Sequence, residues 1–115
     1  MNFTFKKLVF KSGKEQLLIE FSPKSDILSS FVEGEVLSFG KEILSLVEEA
    51  IQKESTTSFA GNSCIAKIDK EYVRIESQMN ESFCILKTEE FTQIIHAYLK
   101  ELGISNSFDN IVSLN

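Results

Sequence analysis

Between Phe59 and Lys87, apolar and polar residues alternate in three short runs separated by tight polar breaks. Cys64, Ala66 and Ile68 alternate with Ile65, Lys67 and Asp69, and Tyr72, Arg74 and Glu76 alternate with Val73, Ile75 and Ser77. A period of two sends successive side chains to opposite faces of a strand. The stretch therefore predicts an antiparallel meander with one apolar face in need of cover and one largely charged face left wet. Phe59-Ala60-Gly61-Asn62 reads as its opening corner, since Gly and Asn both tolerate positive φ.

The same reading extends to both sides. Phe3 to Lys11 and Glu15 to Ser22 are β-like runs broken at Ser12-Gly13-Lys14, a hairpin-length interruption that Pro23 closes. Ser25-Asp26 offers cap chemistry ahead of Ile27, Leu28, Phe31 and Val32, which share a helical face, and Gly34 interrupts that face. From Gly34 or Glu35 to Glu54 apolar residues recur every three or four positions, which predicts a long amphipathic helix with Gly40 as its weak point. Ser55 to Ser58 reads as a loop. Thr88-Glu89-Glu90 supplies a capping hydroxyl and two carboxylates for the first turn of a last helix. Its stripe is Phe91, Ile94, Ile95, Tyr98, Leu99 and Leu102, and Gly103 is its expected stop. In the mixed tail, Phe108, Ile111, Val112 and Leu114 are placed to dock. The predicted architecture is a single α+β domain over 1–115, in which the hairpin and the meander form an antiparallel sheet of about five strands covered by the two helices.

Composition changes this picture little, and charge changes it more. The 115 residues suffice for one core without a metal or disulfide staple. Ten Phe and no Trp make the rings core filler, with a minority left for a surface patch. Residues 1–24 carry five Lys against two Glu, whereas residues 25–55 carry two Lys against seven acids. The net charge of −5 repels phosphate backbones and favours a basic protein partner over nucleic acid. MNFTFKKLVFK lacks the order of a signal peptide and no apolar run reaches the length of a membrane span, so the expected location is the cytoplasm.

Candidate chemistry is sparse. Cys64 and Cys84 have no CxxC partner and His96 is the only histidine, which fits neither a zinc site nor a cysteine–histidine signature. No Gly-rich phosphate loop precedes a helix and no D-x-D-x-D-G loop occurs. The expectation is a non-catalytic protein with no cofactor and no metal. What remains is surface: Glu33, Glu35, Asp69, Glu71, Arg74, Glu76 and Glu81, chosen by charge and expected exposure, are the candidate partner-binding residues.

The order of pieces, with F-x-G-N at Phe59, Gly61 and Asn62, I-D-K-E-Y-V-R-I from Ile68 to Ile75 and T-E-E-F-x-x-I-I-x-x-Y from Thr88 to Tyr98, resembles small bacterial immunity proteins of polymorphic toxin systems. It is similar in particular to those of contact-dependent growth inhibition. The resemblance implies a cytoplasmic antidote that binds and neutralises a cognate basic toxin domain, most often a nuclease such as an RNase. The alternative reading is a small regulatory or protein-interaction domain, homodimeric through a sheet edge or Phe patch and unrelated to toxins.

Overall fold

The computed structural model describes the backbone of residues 1–114 and the side chains of residues 1–103. Strand β1 (Asn2–Val9) pairs antiparallel with β2 (Glu15–Ser22), Phe5 opposite Ile19. The turn between them is closed by Gly13 N–H on the Phe10 carbonyl at 2.9 Å and Phe10 N–H on the Lys14 carbonyl at 2.8 Å. Gly13 sits at φ +87°, where a side chain would be strained, so the glycine is what permits the tight return.

Helix α1 (Asp26–Ser30) starts as the sequence predicts, with the Ser25 hydroxyl accepting from Leu28 N–H at 3.4 Å. Gly34 does not interrupt it. The chain continues through a π-helical turn (Phe31–Val36) into helix α2 (Leu37–Lys53), which kinks at Phe39 and ends at Glu54 in the left-handed conformation. The extra residue of the π-turn rephases the apolar face, so the stripes before and after Gly34 both reach the core. The helix is weak beside Gly40 as expected, with Phe39 leaving helical geometry at φ −131° and ψ 25°. Gly40 is a packing requirement as well: a β-carbon there would come within 2.8 Å of Leu99 Cδ2, where the last helix crosses.

The meander has four strands, because Thr57 to Ala60 form a strand where a loop and a corner are expected. They are β3 (Thr57–Ala60), β4 (Cys64–Ile68), β5 (Tyr72–Ser77) and β6 (Phe83–Lys87), hydrogen-bonded in that order. Thr57 anchors the edge strand by donating its hydroxyl to the Leu46 carbonyl of α2 at 2.9 Å. Helix α3 (Thr88–Leu114) follows β6 directly and passes through Gly103 without stopping. The side chains of Phe108, Ile111, Val112 and Leu114 lie outside the described residues.

The fold is α+β, but its strands form two sheets, not one of five: the β1–β2 hairpin stands apart from the four-stranded sheet. The outward edge of β2 is already occupied. Ile19 N–H donates to Glu33 of the π-turn at 2.9 Å, and the Tyr98 hydroxyl of α3 donates to the Leu17 carbonyl at 2.9 Å. With those groups taken, the middle of β2 cannot carry a ladder on into the meander.

One core joins the pieces. Leu17, Ile19 and Phe21 from the hairpin, Phe31, Val36 and Ile43 from the helical run, Ala66, Ile68, Val73 and Ile75 from the sheet, and Phe91, Ile95 and Tyr98 from α3 are all buried together. Phe31 lies at its centre with ring centroids 5.8 Å from Phe91 and 6.3 Å from Phe59. Helices α1, α2 and α3 all pack on the same side of the four-stranded sheet.

Candidate functional site

The other side of that sheet is open. Register places Ala60, Ile65, Glu76 and Phe83 in one row across the strands and Ser58, Lys67, Arg74 and Ile85 in the next, with Tyr72 opposite Lys87. Their neighbours in sequence, Ala66, Ile68, Val73, Ile75 and Leu86, face the helices and are buried. The alternation read from the sequence is therefore realised, and nothing among the described residues packs over the outer set. Tyr72, Phe83 and Ile85 keep 50%, 52% and 54% of their surface in water, which is unusual for three large apolar side chains on one face.

At the centre of the face, Glu76 Oε1 accepts from Arg74 Nε at 2.8 Å and from Lys67 Nζ at 3.1 Å. The Arg74 guanidinium lies 4.0 Å above the Phe83 ring, a cation–π contact that holds it flat against the sheet. Arg74, then Lys67, holds the Glu76 carboxyl below the usual carboxylate range. Beside this cluster a shallow hollow of about 380 Å³ is lined by Thr56, Lys67, Asp69, Tyr72, Arg74 and Ile85.

The candidate residues chosen by charge separate into three groups. Arg74 and Glu76 lie at the centre of the open face. Asp69 and Glu71 lie in the β4–β5 turn at one end of the strands and Glu81 in the β5–β6 turn at the other, all three exposed. Asp69 is also the turn's own staple, its Oδ1 accepting from Glu71 and Tyr72 N–H at 2.8 Å each. Those two N–H groups, Tyr72 first, hold its carboxyl below the usual range. The turn is fastened to α3 as well, for Thr88 donates its hydroxyl to the Asp69 carbonyl at 2.7 Å instead of capping the helix.

Glu33 and Glu35 do not belong to this surface. Both lie in the π-turn on the covered side; Glu33 is spent on Ile19 N–H, and Glu35, only 3% exposed, receives Asn62 N–H at 3.1 Å on each oxygen. Their expected exposure is corrected for a physical reason. The helical turn that carries them bridges the two sheets, and each carboxylate satisfies a backbone donor of one of them.

Lys67, Tyr72, Phe83, Ile85 and Lys87 complete the face and escape a search by acidic charge. The period-two pattern is the signal that finds them, because Tyr72 shares parity with Arg74. Phe83 and Ile85 follow once the β5–β6 register is known.

Both thiols are free, Cys64 buried and Cys84 half-buried. Burial pushes Cys64 up, with the Glu35 charge adding to it, and burial pushes Cys84 up as well. The protonated, shielded thiol is a poor nucleophile. Alkylation of the native protein by iodoacetamide is expected to run at least about ten-fold slower than in denaturant, followed by mass spectrometry. His96 is exposed on α3. Among the described residues no group of three or more His, Cys, Asp or Glu is placed to hold a metal, and no helix is long and apolar enough to cross a membrane. No family model matches the chain, and neither does a curated protein or a solved structure.

Proposed function

We propose that this protein is a non-catalytic binding protein of the immunity type, acting in the cytoplasm, which neutralises a toxin domain by docking it on the open face of the four-stranded sheet. The observation that carries the reading is the uncovered face itself. Half-exposed Tyr72, Phe83 and Ile85 surround a fixed Lys67–Glu76–Arg74 cluster, combining apolar anchors with oriented charge as specific interfaces do. The resemblance of the Phe59–Asn62, Ile68–Ile75 and Thr88–Tyr98 segments to immunity proteins supplies the kind of partner, a nuclease toxin domain. Co-expression with the product of the neighbouring gene is expected to give a stable complex and to rescue growth when that product is toxic. Absence of both the complex and the rescue would overturn the proposal.

A regulatory domain that pairs with itself is the second reading. It is favoured by Leu8, Val9 and Phe10, which are 41%, 61% and 48% exposed at the hairpin tip. Light scattering that reports a dimer, dispersed by Val9→Lys, would support it.

A further inference from the structure

The open face has the opposite sign from the molecule. The chain carries a net charge of −5, yet on this face Lys67, Arg74 and Lys87 outnumber the carboxylates, Glu76 at the centre and Asp69 at the rim of the hollow. Acidic side chains gather instead in the turns at the two ends of the strands, Asp69 and Glu71 at one and Glu81 at the other. The cations are available: the Lys67 and Arg74 side chains are 52% and 42% exposed, and no hydrogen bond among the described residues uses the Nη groups of Arg74.

We infer that this face takes a protein surface with acidic residues at its centre and apolar residues around them, a partner carboxylate displacing Glu76 at Arg74 and Lys67 while Tyr72, Phe83 and Ile85 bury against the apolar surround. The inference rests on reading the face as a partner surface, and it reverses the basic partner that the net charge suggests. Charge complementarity selects this occupant over two others. A second copy stacked on the face would set two surfaces of the same positive sign against each other. A single-stranded nucleic acid would find rings for stacking, but its phosphates would run past the acidic turns of a protein whose net charge repels them. Glu76 acts as the resident stand-in for the partner's carboxylate. It holds the cations in place in the free protein, and it competes with the ligand.

The test titrates the ¹⁵N-labelled full chain with an acidic aromatic peptide, acetyl-Glu-Phe-Asp-Leu-Glu-Phe-amide, with the same peptide carrying Lys at its acidic positions, and with oligothymidylate. Saturable amide shifts centred on Lys67, Tyr72, Arg74 and Ile85 are expected with the acidic peptide alone. Affinity is expected to fall at least about ten-fold in Lys67→Glu/Arg74→Glu and to rise roughly three-fold in Glu76→Gln, the scale of an exposed ion pair. These positions are on the surface, so the variants should keep the wild-type amide dispersion. Tighter binding of the lysine peptide or of oligothymidylate, shifts centred elsewhere, no shifts at millimolar peptide, or weaker binding by Glu76→Gln would each overturn the inference. A complex with the neighbouring gene's product that ignores Lys67→Glu/Arg74→Glu would overturn it too, leaving the neutralising role standing but not its placement on this face.

Discussion

Gly61→Ala is expected to cost the fold about 3 kcal/mol, the sum of an overpacked site and a disturbed buried hydrogen bond. A β-carbon at this position would overlap the carboxylate of Glu35, which is enclosed by the β3–β4 loop and bonds Asn62 N–H through both oxygens. Glu35 has no ion-pair partner among the described residues and is only 3% exposed, so it has little freedom to retreat. The claim becomes sharp in a double-mutant cycle. Once Glu35→Ala has removed the obstacle, adding Gly61→Ala should cost less than about 1 kcal/mol, which makes the pair non-additive by roughly 2 kcal/mol. Urea denaturation of the four proteins measures this. Equal costs for Gly61→Ala with and without Glu35 would show that the clash is not what excludes a side chain.

Gly61 also shows what a sequence does and does not disclose. F-x-G-N reads as a turn, and a turn is what it is, but the reason for the glycine lies 26 residues earlier in a helical carboxylate. Short-range periodicities were legible because they depend only on the residues that carry them. The strands of the hairpin, the two faces of β4 and β5 and the stripe of α2 all follow from a period of two or of three to four. Matters decided by distant partners were not. The acids Glu33 and Glu35 look like surface charge until the π-turn aims them at Ile19 and Asn62. Asp69 and Thr88 look like a surface acid and a helix cap until each is found fastening the β4–β5 turn. The open face was half legible. Alternation marked Tyr72, Arg74 and Glu76 as its members, whereas Phe83 and Ile85, apolar residues on a third strand, pass for core until β6 is laid beside β5.

The separation of the hairpin from the main sheet rests on groups that a strand pattern cannot show, and Tyr98 tests it. The ring is fully buried, with its centroid 6.3 Å from that of Phe5, and its hydroxyl donates to the Leu17 carbonyl at 2.9 Å. Tyr98→Ala is expected to cost about 4 kcal/mol, as truncation of a large buried ring usually does, and so to leave little of the stability of a domain this size. Tyr98→Phe keeps the packing and removes the donor, leaving the Leu17 carbonyl unpaired at a cost of about 1–2 kcal/mol at neutral pH. A pH series separates the hydroxyl from the ring. Burial first, and the Glu33 charge second, push the Tyr98 phenol from 10.0 up to about 12. A raised folded value means that its contribution is fully present below pH 10 and is lost as pH climbs from there towards 12. The loss attributable to Tyr98 is roughly 2 kcal/mol across that window, since one proton linked to folding is worth about 1.4 kcal/mol for each pH step. The two proteins share every other ionisable group, so the difference between wild type and Tyr98→Phe isolates the phenol. Denaturation midpoints measured from pH 8 to pH 11.5 should therefore converge, the wild type falling more steeply than Tyr98→Phe. Parallel decline of the two would mean that Tyr98 does not hold the outward edge of β2 through its proton.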